Sequence, residues 1–150
     1  GGRTANVMVF TVQKEMARRM TAEAGTPDRS SFSLLCQSFC SVHILEDIPA
    51  GAFYPAPEVV STAVVLKPEG GEGINRREFA MLAADLFRSR RKTIRNCLAS
   101  GGLSSIYGKP LVLSALERAG IDPGRRGETV TNTEALKLFR KITERDAANT

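Results

Sequence analysis

Apolar and polar positions follow two different periods along this chain, and the change falls near residue 70. Val7-Met8-Val9-Phe10-Thr11-Val12 is a continuous apolar run rich in β-branched residues. It predicts a strand buried on both faces, as in a parallel sheet. Met16, Ala17 and Met20 follow at helical spacing, and Gly25 and Pro27 close that helix. Phe32, Leu35, Cys36 and Phe39 form the apolar face of a second helix, with Ser30 or Ser31 as its N-cap. Val42 to Ile48 and Ser61 to Leu66 read as partner strands. Between them, Pro55 and Pro57 hold Tyr54 and Ala56 extended, so the connection is stiff.

Pro68-Glu69-Gly70-Gly71-Glu72-Gly73 has the composition of a linker. We place a boundary at residues 69–74, with an α/β part over 1–68 and an all-α part over 75–150. Phe79, Leu82, Ala83, Leu86 and Phe87, then Ile94, Cys97 and Leu98, mark one face of a helix running from about Arg76 towards Ala99. Arg88, Arg91, Lys92 and Arg95, spaced i, i+3, i+4, i+7, form a second stripe opposite it. Arg90 falls in the middle of the apolar face. Either the helix breaks near Ser89, or Arg90 is buried with a carboxylate or carbonyl partner, because an unpaired buried guanidinium costs too much. Gly101-Gly102 ends this helix. Pro110 suits a first helical position and Gly120 a C-terminal cap. Ile121-Asp122-Pro123-Gly124 is a turn, and Thr131 with Glu134 is a capping box opening a last helix on Ala135, Leu138, Phe139 and Ile142.

Charge sharpens this picture. Residues 76–95 hold seven basic and two acidic side chains, a net of +5, which equals the formal charge of the whole chain. The basicity is thus local, and a phosphate backbone would meet it as one surface. Spacing alone leaves a phosphate-binding face and a merely solvated one equally open. The 150 residues suit one domain or pieces of two. No apolar run approaches the ~20 residues of a membrane span, and no secretory signal is present. Gly1-Gly2 in place of Met reads as an added remnant or a cut end. Three cysteines, an odd number, predict a reducing, cytoplasmic setting. Cys36, Cys40 and His43 lie close together but lack a fourth ligand at suitable spacing, so the cysteines are assigned to the core and no metal site is assigned. His43 is the only histidine, which argues against a hydrolytic triad, and Cys97 has a packing position. No glycine-rich phosphate loop follows a strand.

Three stretches resemble the KsgA-type ribosomal RNA adenine dimethyltransferases, relatives of the erythromycin-resistance methylases. Val12-Gln13-Lys14-Glu15-Met16-Ala17-Arg18-Arg19 is similar to the Gln-Lys-Glu segment after that family's fifth strand. Phe53-x-Pro55-x-Pro57-x-Val59-x-Ser61 matches its F-x-P-x-P-x-V-x-S pattern at every fixed position. Arg90-Arg91-Lys92-Thr93-Ile94-Arg95-Asn96 looks like the bacterial branch. Gly120-Ile121-Asp122-Pro123 and the Thr131 helix agree in order and spacing. One departure lies at Arg29-Ser30-Ser31-Phe32-Ser33, where the family usually has Gly-Arg-Leu-Ser. A larger one is that the family's glycine-rich loop, ribose-binding acid and Asn-Leu-Pro-Tyr motif do not occur here.

The resemblance implies the C-terminal part of a Rossmann-like class I methyltransferase domain followed by a small helical RNA-binding domain. It implies an S-adenosylmethionine-dependent enzyme that dimethylates adenines of small-subunit ribosomal RNA after taking the base out of its helix. Phe53, with Pro55 and Pro57 fixing its place, is implied in the target-adenine pocket. Arg88, Arg91, Lys92 and Arg95 are expected to contact RNA phosphates. With the catalytic motif absent, no catalytic residue is assigned, and this chain alone is expected neither to bind S-adenosylmethionine nor to methylate. The competing readings are a non-catalytic RNA- or DNA-binding module built on the basic helix, and an erythromycin-resistance-type enzyme acting on large-subunit RNA. A Val7–Val12 strand without its parallel neighbour is expected to self-associate through its edge. No membrane partner is expected.

Overall fold

The computed structural model describes residues 6–144. Three strands, β1 (Met8–Gln13), β2 (Cys40–Ile48) and β3 (Ser61–Pro68), form one sheet in the order β1-β3-β2, antiparallel throughout. Alternation along β3 puts Thr62, Val64 and Leu66 on one face. Two helices cover that face, α1 (Lys14–Thr21) and α2 (Ser31–Phe39), with Ala17, Met20, Val64 and Leu66 as the buried cluster and Cys36, Cys40 and Val42 packed beside it.

β1 corrects the expected doubly buried parallel strand. It pairs only with β3 among the described residues, antiparallel, and Val9 and Phe10 are 63% and 48% exposed. Its apolar run is real, but no element among the described residues covers its second face. The first helix also stops earlier than expected, at Thr21, where the chain turns into an extended Ala22. In α2 the N-cap is Ser30, whose hydroxyl accepts the Ser33 N–H while the Ser33 hydroxyl accepts the Ser30 N–H. Its buried face is centred on Leu34 and Ser38 rather than on Phe32, which is exposed. The helix is packed on two sides, so a one-sided stripe misplaces its core.

The second assembly is helical: α3 (Arg76–Leu86), α4 (Ile94–Ala99), α5 (Gly102–Tyr107), α6 (Lys109–Ala119) and α7 (Asn132–Thr143). Phe79 is at its centre, edge-on to Phe39 at 5.3 Å and to Phe139 at 5.6 Å. Leu34 of α2 belongs to this larger core, with Leu82, Leu98, Leu116 and Leu138. The helix expected from about Arg76 towards Ala99 takes the alternative of a break near Ser89: two helices are separated by a loop at 87–93, and Gly102 opens α5 instead of ending a helix. Asp85 explains α5: its buried carboxylate accepts the Gly102 and Leu103 N–H groups, which a helix start leaves without partners. Gly120 caps α6 in the left-handed region, as expected. Thr131 and Glu134 form the expected capping box on α7, and Glu134 also accepts from the two terminal guanidinium nitrogens of Arg125, at 2.8 and 3.0 Å.

The Arg125 guanidinium and then the Thr131 backbone hold the Glu134 carboxyl at about 2, against 4.5 ordinarily. A depressed carboxylate contributes stability that is complete above about pH 4.5 and is lost as the pH falls towards 2. Glu134 is about one-third exposed, so screening limits the contribution to about 1 kcal/mol. Glu134→Gln is expected to lower the melting temperature at pH 7 and to flatten its decline between pH 5 and 2.5. Parallel acid limbs in calorimetry would contradict this.

Candidate RNA interface

Two exposed loops carry the residues singled out above. The first joins β2 to β3 over residues 49–60. A bulge between Ile44 and Glu46 interrupts the ladder of β2, which resumes through Asp47 and Ile48 opposite Thr62 and Ser61. A single 3₁₀ turn at Ala50–Ala52 then delivers Phe53 in extended conformation. Phe53 is 38% exposed and Tyr54 wholly exposed, and the Tyr54–Pro55 peptide is cis. Pro55 is exposed and Pro57 half-buried. The loop's neck is held at one point in the fold. Lys14 donates its backbone N–H to Val60 O at 3.0 Å and its Nζ to Asp47 at 2.7 Å, while Thr62 donates its hydroxyl to the same carboxylate at 2.8 Å. These two donors, Lys14 first, pull the Asp47 carboxyl below its ordinary range.

The second loop is the break between α3 and α4. Arg88, Arg91, Lys92 and Arg95 do not share one helical face, as the spacing had suggested. Arg88 lies in the turn after α3, Arg91 and Lys92 lie in the loop, and only Arg95 is helical. All four are exposed. Arg88 gives its guanidinium to the Ser100 carbonyl. Among the described residues, no hydrogen bond or ion pair occupies the side chains of Arg91, Lys92 or Arg95. Arg90 answers the misfit in its spacing: the helix does break, and Arg90 turns outward to donate to Pro27 O and Arg29 O, both at 2.9 Å. A tertiary contact keeps the break open. Thr93 caps α4 and bridges to Arg126, Ile94 N–H goes to Arg125 O at 2.7 Å, and Arg126 reaches Arg90 O. Arg126 thus adds a cation to the loop, which spacing along the 88–95 stretch could not find.

Arg90 brings the base of the second loop near the neck of the first. It is tied to 27–29, and Asp28 lines a cavity of about 430 Å³ with Lys14, Arg18, Val59 and Val60. Beneath lies Arg29, 1% exposed, donating to Ala22 O, Gln37, Val130 O and Asn132. The stretch that departs from the family pattern therefore carries the buried joint of the structure. Cys36 and Cys40 lie beside the sheet cluster, and burial and then Cys40 push the Cys36 thiol up to about 11. His43 is exposed, and among the described residues no three metal-binding side chains gather. Cys97 is buried. No described helix is long and apolar enough to cross a membrane.

In the 70–73 glycine run, Gly71 does not suit an S-adenosylmethionine cradle. A side chain on Gly71 would meet the Phe39 ring at 2.3 Å, so its missing Cβ makes room for protein.

The antiparallel sheet with its helical cover, the exposed proline-framed loop and the attached helical bundle define the C-terminal part of a Rossmann-like methyltransferase. The chain belongs to the ribosomal RNA adenine dimethylase family, whose model matches residues 2–143. A ribosomal RNA small subunit methyltransferase A of Treponema denticola is 42% identical over 135 residues, 89% of this chain and 46% of that protein. One from Alkaliphilus metalliredigens is 38% identical over 141 residues, 92% of this chain and 48% of its own. The chain spans about half the length of the curated relatives it matches. The fold is shared with a dimethyladenosine transferase of Plasmodium falciparum, at TM-score 0.77 and 24% identity over 89% of this chain and 55% of that one. It is also shared with the 23S rRNA methyltransferase ErmE, at TM-score 0.58 and 20% identity over 91% and 55%.

Proposed function

We propose that this chain is the RNA-handling part of an S-adenosylmethionine-dependent enzyme that dimethylates adenines of small-subunit ribosomal RNA. The observation that carries the reading is the exposed Phe53 loop, bearing the full F-x-P-x-P-x-V-x-S pattern, in a dimethylase-family fold whose second loop leaves Arg91, Lys92 and Arg95 exposed and without partners among the described residues. An adenine lifted out of its helix stacks on Phe53, a contact worth ~1–3 kcal/mol, and Pro55 and Pro57 frame it. Arg88, Arg91, Lys92 and Arg95 meet phosphates and read no base. The work is divided at residues 69–74: residues 1–68 present the base and 75–150 hold the RNA.

Because each neutralised phosphate releases counterions, log affinity falls linearly with log salt. Changing Arg91 and Lys92 together to Gln is expected to weaken binding of small-subunit ribosomal RNA and to flatten the salt slope by about two contacts' worth. The melting temperature should stay put, since exposed charges contribute little to folding. An unchanged slope in filter binding would reduce the loop to a solvated surface.

The methyl donor is a matter for the intact enzyme. Supplied there, S-adenosylmethionine provides the activated methyl group; the residues of this chain orient the acceptor base. Titrating the chain alone with S-adenosylmethionine in a calorimeter is expected to give no binding heat, and micromolar affinity would refute the division of labour. The uncovered β1 edge, with Val9 and Phe10 exposed, pairs with a second copy of the chain. Sedimentation should show association rising with concentration, whereas a monomer at every concentration would count against it.

A further inference from the structure

We propose that Lys14 is the positioning residue of the Phe53 loop, clasping both ends of it from the start of α1. The inference rests on the base-stacking reading of Phe53 and adds the element that aims it. Residues 49–60 leave the sheet after β2 and return at β3. Among the described residues, the bond from Lys14 N–H to Val60 O is the one hydrogen bond joining that segment to another element. The prolines stiffen the loop but leave its angle to the sheet free, because they fix φ only locally.

Lys14 sets that angle from two directions. Its backbone holds the returning arm at Val60, and its side chain holds the departing arm at Asp47. The geometry depends on the strand order. Lys14 directly follows β1, Asp47 is on β2, and β3 runs between them. Thr62 on β3 pairs with Val12 on one side and Asp47 on the other, and its hydroxyl completes the clasp on the carboxylate. All three strands are thus stapled at the edge from which the loop emerges. Lys14 and Asp47 are both about half exposed. A pair so exposed adds little to global stability, so its consequence is geometric. The backbone half of the clasp survives any substitution at Lys14 other than proline, and only the aim of the departing arm is released.

The test uses a short single-stranded RNA with 2-aminopurine, a fluorescent adenine analogue, at one position. Stacking on Phe53 quenches it. Phe53→Ala is expected to remove most of the quenching. Lys14→Met should weaken the quenched complex about tenfold, with an unchanged melting temperature and salt slope, and Lys14→Arg should restore most of the loss. Asp47→Asn breaks the same clasp from its other end and should behave like Lys14→Met, which keeps the test open if one variant folds poorly. A salt slope lowered by about one contact in Lys14→Met would make Lys14 a phosphate ligand and overturn the positioning role. Normal quenching in both clasp variants while Phe53→Ala loses it would also overturn it. No effect from Phe53→Ala would instead sink the stacking reading itself, so the two failures are distinct.

Discussion

The structure depends on one buried cation. Among the described residues Arg29 has no carboxylate partner; it is held by two backbone carbonyls and two side-chain amide oxygens. Burial pushes its pKa down. Ala22 O belongs to the segment after α1, Gln37 to α2, and Val130 O and Asn132 to the start of α7. One planar guanidinium, with donors fanned in fixed directions, therefore sets the relation between the sheet cover and the helical bundle. Removing it would leave several buried acceptors unpaired at about 1–3 kcal/mol each. Its Nε finds no partner. The backbone of the same residue also accepts Arg90, so the position of the basic loop follows from the position of Arg29.

That connection gives the two loops a common frame. Phe53 extends from the loop whose neck Lys14 holds, and the cations lie at the break between α3 and α4. Each hangs on segments that meet at 27–29 and α1. In the proposed function, a target base and its flanking phosphates need a fixed separation, and a chain with independent loops would lose affinity to the entropy of ordering them. Here the ordering is built into folding through short polar contacts, while the apolar clusters supply most of the driving force.

Much of this was legible in the sequence where one residue decides one local feature. Ser30, Thr131 with Glu134, Gly120 and the strand pair around the proline motif were all readable from type and spacing. What escaped was decided by partners distant in sequence. The break at 87–93 contains neither glycine nor proline; it is kept open by Thr93 and Ile94 bonding to residues 125–126. Arg90 signalled the break by its misfit, but not which carbonyls it would cap. Short α5 depends on Asp85. Phe32 and Leu34 exchanged roles because α2 serves two cores. Arg29 was invisible as a joint, because an arginine in a polar turn is ordinarily a surface residue.

Gly127 carries a consequence for how this chain can vary. A Cβ built there would lie 1.8 Å from the carbonyl oxygen of Leu86, the last residue of α3. The neighbour is backbone, so no rotamer change can yield, and α3 must shift as a whole to admit even a methyl group. Every coding change at this position introduces at least that methyl. In a saturation library position 127 would therefore be as intolerant as an active-site residue while touching no ligand, and an invariant glycine there would record the closeness of two pieces of main chain.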